Sequence, residues 1–438
     1  MKKILLVGNG AREHVIAETL KRSPQKVSII AYGKAKNPGI AALADRYEIG
    51  PLDTFEQLKK LAIEEKPDFA IIGPDDPIAD GAADALLEIE IHSVAPLQTV
   101  ARLESSKSFT RDLLARYNVQ GNPKFRVFYE EEGIEDFIRS ELGEDFVVKA
   151  DGLMGGKGVK VSGEHLNSIE EGTLFAKQCI EKFGRVVIEE KLIGEEFSLM
   201  CFCDGVNIVP MPAVQDHKRA YNGDQGPNTG GMGSYSDANH MLPFISQKDI
   251  DEGVEITKQT ANALFKDTGV LFKGIMYGGF IATKNGSKLI EYNARFGDPE
   301  VMNVLPILET DFVEICEHII KGTLDQIDIK FASKATVCKY IVPKGYPEDP
   351  VKGAKIEIGK FPADVKMYYS SVDQKEDGIY MSSSRALAFV GIAKTISQAE
   401  KIAASALSSV SGPVFFRDDI GTDALVQRRI DHMKQIRG

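Results

Sequence analysis

Short apolar runs and helical patterns alternate along the N-terminal part of the chain. The predicted strands are residues 4–8, 27–32, 69–73 and 91–95, and the predicted helices include residues 13–22 and 54–65. Strands that are separated by helices indicate a parallel, doubly wound sheet. We therefore predict an α/β fold that begins with such a sheet.

The pattern of apolar positions changes several times along the remainder of the chain. The predicted elements there are a helix at 103–117, strands at 146–150 and 159–161, helices at 247–267 and 311–321, and a final helix at 396–410 within a strand-rich part. These changes divide the chain into the segments 1–103, 104–121, 122–187, 188–326 and 327–438, and the family resemblance given below implies that 104–121 and 188–326 form one domain. The last domain is predicted to be α+β.

Composition and charge narrow the class of protein. Of the 438 residues, 43% are hydrophobic and 27% are charged, as in ordinary globular proteins. No apolar stretch approaches the ~20 residues of a membrane span, and the N-terminal apolar run is too short for a signal peptide. The formal net charge of −11 argues against nucleic acid and anionic membranes as partners.

The cysteines indicate a reducing compartment. There are five of them, they are dispersed, and no two form a C-x-x-C pair. Cys201 and Cys203 are spaced to lie on one face of a strand. An odd number of unclustered cysteines is typical of buried thiols in a cytosolic protein. We therefore expect a cytoplasmic protein without disulfides.

A glycine-containing turn at residues 8–14 joins the first predicted strand to its helix. Glycines there let backbone N–H groups approach a phosphate, and the start of a helix favours an anion. The dinucleotide fingerprint is incomplete, because Glu13 stands where the third glycine would be. The turn is therefore either a simple connection with a surface Arg12 or a phosphate monoester site that Arg12 clamps.

A second glycine-rich segment, residues 148–159, holds four glycines and two lysines between two predicted strands. Backbone N–H groups together with lysines suit a triphosphate. The segment is not a P-loop, because its spacing is one residue short and Gly158 replaces the Ser or Thr that binds magnesium. An ordinary hairpin is the alternative, but it would not require so many glycines and lysines.

Residues 187–196 form an apolar strand that ends in a charged, kinked segment. Backbone groups at such a kink can bind adenine, and a carboxylate can bind ribose hydroxyls. By itself the segment fits a solvated strand end better than a nucleotide site.

Residues 288–300 place several functional groups close together. Glu291 and Asn293 are two residues apart, so on a strand they point to the same side. Carboxylate and amide oxygens are hard ligands that suit Mg²⁺. Arg295 and Asp298 follow at once, which makes a polar strand face the weaker interpretation.

The segment 215–236 is long, rich in glycine and predicted to lack regular structure. Segments of this kind are usually disordered or functional. Polar residues such as Asp216, Lys218 and Arg219 are interspersed with Tyr221 and Met232, which favours a substrate loop.

In this order and spacing, the second, third and fourth motifs resemble the ATP-grasp superfamily. With the first and fifth motifs added, the whole chain resembles the phosphoribosylamine–glycine ligase family of purine biosynthesis. The most specific segments are residues 8–14, 226–235 and 291–300. The resemblance implies ATP-grasp central and lid domains, with residues 122–187 as the lid over ATP.

The resemblance also implies roles for individual residues. The implied ATP contacts are Lys107, Lys149, Gly155, Gly156, Lys157, Gly158, Glu189, Leu192 and Glu196. The implied substrate contacts are Gly10, Arg12, Glu13, Pro77, Asp216, Lys218, Arg219, Thr229, Gly230 and Gly231. The implied ligands of Mg²⁺ or Mn²⁺ are Glu291 and Asn293, and the implied catalytic residues are Arg295 and Asp298.

The reaction that the resemblance implies is ATP-dependent ligation of glycine to 5-phosphoribosylamine through glycyl phosphate. The products would be glycinamide ribonucleotide, ADP and phosphate. We expect small-molecule partners and a monomer. Ser383 and Ser384 precede Arg385 where the family usually has glycines, which leaves open whether the C-terminal domain contributes to the site.

Two other functions are compatible with parts of the sequence. One is an ATP-grasp ligase of purine synthesis that acts on another carboxylate, against which residues 8–14 and 226–235 argue. The other is a regulatory protein that binds a nucleotide without turnover. The intact set of Lys149, Glu291 and Asn293 argues against it, because binding alone would not need the metal pair.

Overall fold

The computed structural model describes residues 1–153 and 158–438, and it begins with a five-stranded parallel sheet of order β3-β2-β1-β4-β5. The strands are β1 (Lys2–Val7), β2 (Val27–Gly33), β3 (Arg46–Ile49), β4 (Phe69–Ile72) and β5 (Ser93–Val94). The helices of this part are α1 (Ala11–Lys21), α2 (Pro38–Leu43), α3 (Glu56–Glu65), α4 (Asp75–Ala79), α5 (Ala82–Leu87) and α6 (Gln98–Ser105). The predicted parallel sheet is confirmed.

Both faces of this sheet are covered. Leu5 and Val7 of β1 belong to one apolar core, whereas Ile4 and Leu6 belong to another. A strand that is buried on both faces needs a continuous apolar run, which explains why β1 was recognisable in the sequence. β3 was not predicted, because this edge strand is polar and only half-buried.

A small antiparallel sheet of order β6-β9-β7-β8 follows, with a core of its own. It is preceded by α7 (Lys107–Arg116), and its elements are β6 (Phe125–Phe128), α8 (Ile134–Phe137), β7 (Phe146–Ala150), β8 (Val159–Val161), α9 (Ile169–Phe183) and β9 (Val186–Glu190). We call residues 122–187 the lid, after the predicted domain.

The central part is a four-stranded sheet of order β11-β10-β16-β17. Its strands and the short strands of the connecting segment are β10 (Gly194–Cys203), β11 (Ile208–Pro210), β12 (Gln215–Asp216), β13 (Arg219–Tyr221), β14 (Gln225–Asn228), β15 (Gly233–Ser236), β16 (Gly274–Thr283) and β17 (Gly286–Asn293). Its helices are α10 (Gln247–Thr268), α11 (Val301–Val304) and α12 (Phe312–Lys321).

The C-terminal part extends a sheet that the central part begins. β12 and β15 join three C-terminal strands in the order β12-β15-β18-β23-β20, and β25 also pairs with β18. The C-terminal elements are β18 (Ala335–Pro343), β19 (Lys355–Ile358), β20 (Lys366–Tyr369), β21 (Val372–Lys375), β22 (Gly378–Met381), β23 (Leu387–Ala393), α13 (Ile396–Ala404), β24 (Val410–Ser411), β25 (Val414–Phe416) and α14 (Asp423–Arg437).

The segment 215–236, predicted to be a loop, contains the four short strands β12 to β15. Each is two to four residues long, too short to give an alternating pattern. β15 is ordered by pairing with β18, which lies far along the chain. Such long-range hydrogen bonding leaves no local signal in the sequence.

One predicted helix end near the C-terminus was wrong, and one helix there was missed. The helix predicted at 396–410 ends at Ala404, and a short 3₁₀ turn leads into β24 at Val410. The last helix, α14, was not predicted at all. It buries only Leu425, Val426 and Met433, so its apolar stripe is too narrow to be recognised.

The single helix predicted at 103–117 is in fact α6 and α7, which meet at Ser106. This residue is extended (φ −137°, ψ 107°), and its Oγ accepts a hydrogen bond of 3.2 Å from the N–H of Phe109. Ser106 Oγ also donates to Asp151 Oδ2 at 3.1 Å. The apolar positions keep helical spacing on both sides of Ser106. The N-cap at Ser106, and not the apolar pattern, therefore sets the break between α6 and α7.

Replacing Ser106 by Ala should therefore lower the free energy of unfolding by about 1 kcal/mol, within the ~0.5–2 kcal/mol range of lost N-caps. Urea denaturation followed by circular dichroism measures this difference. Ser105→Ala is the matched control, because Ser105 is the last residue of α6 and should change stability by less than about 0.5 kcal/mol. Equal stability of the two variants would contradict a capping role for Ser106.

Candidate active site

A cleft of about 1180 Å³ brings together most of the predicted site residues. Its walls come from the lid, from the central sheet with its connecting segment, and from α14. The predicted residues that line it are Lys107, Lys149, Gly158, Glu196, Asp216, Lys218, Arg219, Thr229, Gly230, Glu291, Asn293, Arg295 and Asp298. Predicted site residues that lie between positions 107 and 298 of the chain therefore line one cleft.

Other predicted site residues do not line this cleft. Those in the described part of the chain are Gly10, Arg12, Glu13, Pro77, Glu189, Leu192 and Gly231. Gly155, Gly156 and Lys157 lie outside the described residues, so their predicted contact with ATP stays a prediction.

Glu291 and Asn293 lie at the end of β17 and both face the cleft, as their spacing predicted. Gly279 stands opposite Glu291 on β16, so no side chain from that position competes for the space. Burial raises the pKa of Glu291, but the charges of Lys218, Lys107 and Lys149 outweigh it and hold that pKa below its ordinary value. A carboxylate that stays ionised beside an amide oxygen fits a hard divalent cation.

The predicted metal site has few protein ligands among the described residues. Among the described residues, no three His, Cys, Asp or Glu side chains come together as a metal-binding group. The carboxylate of Glu291 and the amide of Asn293 would therefore supply only part of the coordination shell. Phosphate oxygens and water would supply the rest.

Two predicted ATP lysines are held by the protein itself. Lys107 Nζ donates to the carbonyl of Gly152 in the lid at 2.8 Å. Lys149 Nζ pairs with the carboxylate of Glu189 and donates to the carbonyl of Ile290 at 3.1 Å. The Glu189 carboxylate is thus paired within the protein, and its predicted contact with ATP stays a prediction.

Arg295 is surrounded by acceptors. Its Nη2 lies 3.0 Å from Glu104 Oε1 and donates to Asn293 Oδ1 at 3.0 Å. Its buried Nε has no hydrogen-bond partner among the described residues. Glu104 was not among the predicted site residues, because a single acidic residue at the end of an amphipathic helix gives no signal in the sequence.

The first and fourth motifs meet at one carbonyl. Arg12 Nη1 and Arg295 Nη1 both donate to the carbonyl of Phe296, at 3.1 and 3.2 Å. Arg12 Nε also donates to Glu13 Oε1 at 2.8 Å, and Glu13 Oε2 accepts from the N–H of Gly10 at 2.6 Å. The N-terminal turn thus lies beside the fourth motif, and its Arg12 is paired with Glu13 of the same turn.

The C-terminal part contacts Asp298, a predicted catalytic residue of the central part. Tyr340 donates to Asp298 Oδ1 at 2.5 Å, and Arg385 Nη2 lies 3.3 Å from Asp298 Oδ2. Arg385 Nη1 also donates to the carbonyls of Gly230 (2.6 Å) and Gly231 (3.1 Å). The C-terminal part therefore fixes both the predicted catalytic aspartate and the predicted substrate loop.

Glu300, which was not among the predicted site residues, lines the cleft together with the predicted residue Asp216. Glu300 Oε1 accepts from Ser198 Oγ at 2.9 Å and from the Tyr277 hydroxyl at 2.5 Å. Burial, together with the charge of Glu300, raises the pKa of Asp216 well above its ordinary value. Tyr277 lies within an apolar strand, so only the tertiary structure identifies it as part of the cleft.

The predicted substrate loop points two of its basic residues in different directions. Lys218 Nζ lies 3.4 Å from Glu196 Oε2 and 4.0 Å from Glu291 Oε1, and the charge of Glu196 raises the pKa of Lys218. Arg219 instead pairs with Glu164 of the lid at 2.5 Å. Lys218 therefore pairs with acidic residues of the cleft, whereas Arg219 joins the loop to the lid.

Known proteins match this chain along its length. The N, ATP-grasp (A) and C domain models of phosphoribosylglycinamide synthetase match residues 2–104, 105–301 and 336–423. A phosphoribosylamine–glycine ligase of Methanosarcina barkeri is 49% identical over 436 residues, with 100% of each chain covered. The chain belongs to the phosphoribosylamine–glycine ligase family. A second ligase of this name, from Methanocella arvoryzae, is 48% identical over 436 residues.

Solved structures agree with membership of the phosphoribosylamine–glycine ligase family. The crystal structure of such a ligase from Thermotoga maritima has a TM-score of 0.79 at 25% identity, covering 95% of this chain and all of that one. The biotin carboxylase domain of a 2-oxoglutarate carboxylase from Hydrogenobacter thermophilus has a TM-score of 0.72 at 17% identity, covering 99% of this chain and 94% of that one. The latter likeness concerns the fold alone.

Two general expectations can also be compared with the structure. All five cysteines are unpaired and buried, as predicted for reduced thiols. Within residues 1–153 and 158–438, no helix has the length and apolar character that crossing a membrane would require.

Glu291→Ala should abolish ligation while the fold is retained, because it removes the one carboxylate of the predicted metal pair. We expect a loss greater than the roughly 10- to 100-fold that follows removal of an outer-shell partner of a metal. Steady-state rates over a Mg²⁺ titration measure the loss, and circular dichroism checks the fold. Glu88→Ala, at an exposed surface pair with Lys59, is the control. Near-normal activity of Glu291→Ala at low Mg²⁺ would rule out the metal role.

Proposed function

We propose that this protein ligates glycine to 5-phosphoribosylamine with ATP, through a glycyl phosphate, and so forms glycinamide ribonucleotide in purine biosynthesis. The observation that carries the proposal is the convergence in one cleft of Lys107, Lys149, Glu291, Asn293 and Arg295. These residues supply cations for phosphates, oxygens for a metal and a guanidinium for a carboxylate. Family membership supports the choice of substrates.

The proposed first step is attack of a glycine carboxylate oxygen on the γ-phosphorus of ATP. The bond between the γ-phosphorus and the β,γ-bridging oxygen breaks, and ADP leaves. Lys107 and Lys149 would offset the charge of the phosphates, and Arg295 would orient the glycine carboxylate. Glu291 and Asn293 would hold a divalent cation, which would supply positive charge to the transferring phosphoryl group.

In the proposed second step, the amine of phosphoribosylamine attacks the carbonyl carbon of glycyl phosphate. The carbon–nitrogen bond forms, the carbon–oxygen bond to the phosphate breaks, and the amine releases a proton to water or to the departing phosphate. Asp298 would lie near this centre, held by Tyr340 and Arg385. No covalent enzyme intermediate is required, so the residues act by positioning and by charge.

Several finer statements belong to the same proposal. The cation is Mg²⁺ or Mn²⁺, because Glu291 and Asn293 offer only hard oxygen ligands. The partners are small molecules rather than nucleic acid or membrane, the enzyme acts as a monomer, and it works in the cytoplasm. The net charge of −11 supports the point about partners. The buried, unpaired cysteines support the point about compartment.

ADP release tests the function directly. We expect full turnover only when glycine and phosphoribosylamine are both present with ATP. If the glycine carboxylate carries ¹⁸O, one ¹⁸O should appear in the released phosphate, because the carboxylate oxygen becomes the bridge of the acyl phosphate. Mass spectrometry of the phosphate measures the label. Unlabelled phosphate, or AMP and pyrophosphate as products, would exclude this route.

Arg12→Ala tests which substrate the N-terminal turn holds. We propose that Arg12 exchanges its pairing with Glu13 for the 5-phosphate of phosphoribosylamine, since the turn lies at the carboxyl edge of the parallel sheet. Loss of a charge-assisted pair costs about 1.5–3 kcal/mol, which corresponds to roughly ten- to hundred-fold weaker binding. The KM for phosphoribosylamine should rise accordingly, while those for ATP and glycine stay near the normal values.

The control for this variant is Lys21→Ala, at the far end of the same helix α1, where Lys21 pairs with Asp45. It should leave all three KM values unchanged. A raised KM for ATP in Arg12→Ala, with that for phosphoribosylamine unaltered, would show that the turn is a nucleotide site instead.

A further inference from the structure

Arg111 lies at the base of the cleft with all five of its guanidinium N–H groups engaged. The Nε and Nη2 atoms donate to the two carboxylate oxygens of Glu189 at 2.8 and 3.2 Å. Nη2 also donates to the carbonyl of Ile290 at 2.7 Å, and Nη1 donates to the carbonyl of Leu289 at 3.1 Å and to Asn122 Oδ1 at 3.3 Å. An arginine has five such donors, so this one is saturated.

These hydrogen bonds connect three separate parts of the molecule. Arg111 belongs to α7, Glu189 to the lid-sheet strand β9, and Leu289 and Ile290 to β17 just before Glu291. Asn122 stands where the chain enters the lid, and its Nδ2 donates back to the Arg111 carbonyl at 3.2 Å. One buried side chain thus fixes the lid sheet against the strand that carries the predicted metal ligands.

Lys149 depends on the same arrangement. Its ammonium pairs with Glu189 and donates to the carbonyl of Ile290, which is also an acceptor for Arg111. The side chains of Arg111, Lys149 and Glu189 are between 3% and 6% exposed, so each charge needs its partners. Two cations share one carboxylate, which leaves the group with a net positive charge beside the cleft.

We propose that Arg111 is a positioning residue for the nucleotide: it orients the Glu189 carboxylate, which in turn fixes the Lys149 ammonium at the cleft wall. The inference rests on the proposed function in one respect, namely that a nucleoside polyphosphate binds in this cleft. Lys149 would contact the phosphate, whereas Arg111 would act through Glu189. The bidentate geometry is the essential feature, and a lysine cannot reproduce it.

Direct binding of MgADP tests the proposal without relying on turnover. We expect Arg111→Gln to weaken MgADP binding by roughly ten-fold or more, the loss typical of a removed charge-assisted pair. Arg111→Lys keeps the charge but loses the fork, so it should recover only part of the affinity. Isothermal titration calorimetry measures the three dissociation constants, and circular dichroism confirms that each variant is folded.

Arg116→Gln is the matched control, because Arg116 lies on the same helix and pairs with Asp267 at the surface. It should change MgADP affinity by less than about twofold, as surface substitutions usually do. In the ligation assay, Arg111→Lys should raise the KM for ATP and leave the KM for glycine nearly unchanged.

A pH profile separates positioning from a loss of packing. Burial raises the pKa of Glu189, but the Arg111 and Lys149 charges hold it below its ordinary value. Arg111 faces the carboxylate from α7 and Lys149 from β7, while the uncharged Phe125 is its partner on β6. Without the Arg111 charge, Glu189 should protonate at a higher pH and release Lys149. As the pH is lowered, MgADP binding by Arg111→Gln should therefore be lost at a higher pH than binding by the wild type.

The possible outcomes decide the matter. A folded Arg111→Gln that binds MgADP within about twofold of the wild type at every pH would overturn the proposal. Weaker binding by the same factor at every pH would also overturn it, because it would indicate lost packing alone. If Arg111→Gln does not fold, Arg111→Lys decides by affinity alone: because the lysine keeps the charge but lacks the bidentate fork, binding of MgADP within about twofold of the wild type would overturn the proposal. A wild-type protein that binds MgADP but does not ligate glycine would refute the proposed function and leave this inference standing.

Discussion

Several charges beside the cleft are largely buried, and these are paired with partners from distant parts of the chain. Glu189 of the lid sheet is held by Arg111, Arg295 by Glu104, and Asp298 by Arg385. A buried charge without a partner is costly, so these segments must come together for the cleft to form at all. The same pairs that permit burial also fix the direction in which each functional group points.

The C-terminal part supplies several of the arginines in these ion pairs. Asp224, in the turn between β13 and β14, pairs with Arg417, Arg428 and Arg429, the last two on α14. Arg429 also lies 3.3 Å from Glu195, directly before the predicted ATP contact Glu196. α14 therefore links the predicted substrate loop to β10 through ion pairs.

Much of the candidate site was predictable because its residues are close in sequence and regular in spacing. Glu291 and Asn293 are two residues apart on a strand, so their common direction follows from strand geometry. Local glycine and lysine patterns similarly marked the cleft residues Lys149 and Gly158. The residues that were missed, such as Arg111 and Tyr277, are single polar side chains within otherwise ordinary helices and strands.

By itself, the sequence determined the parallel sheet, the order of the motifs and the family, because apolar periodicity and motif spacing are local properties. The tertiary structure alone decided where α6 ends, which strands order residues 215–236, and which partner each buried charge takes. Ser106 breaks a continuous helical pattern by capping α7, and β15 exists because β18 pairs with it. Hydrogen bonds and ion pairs between distant residues leave no periodic trace in a chain, so only the folded arrangement reveals them.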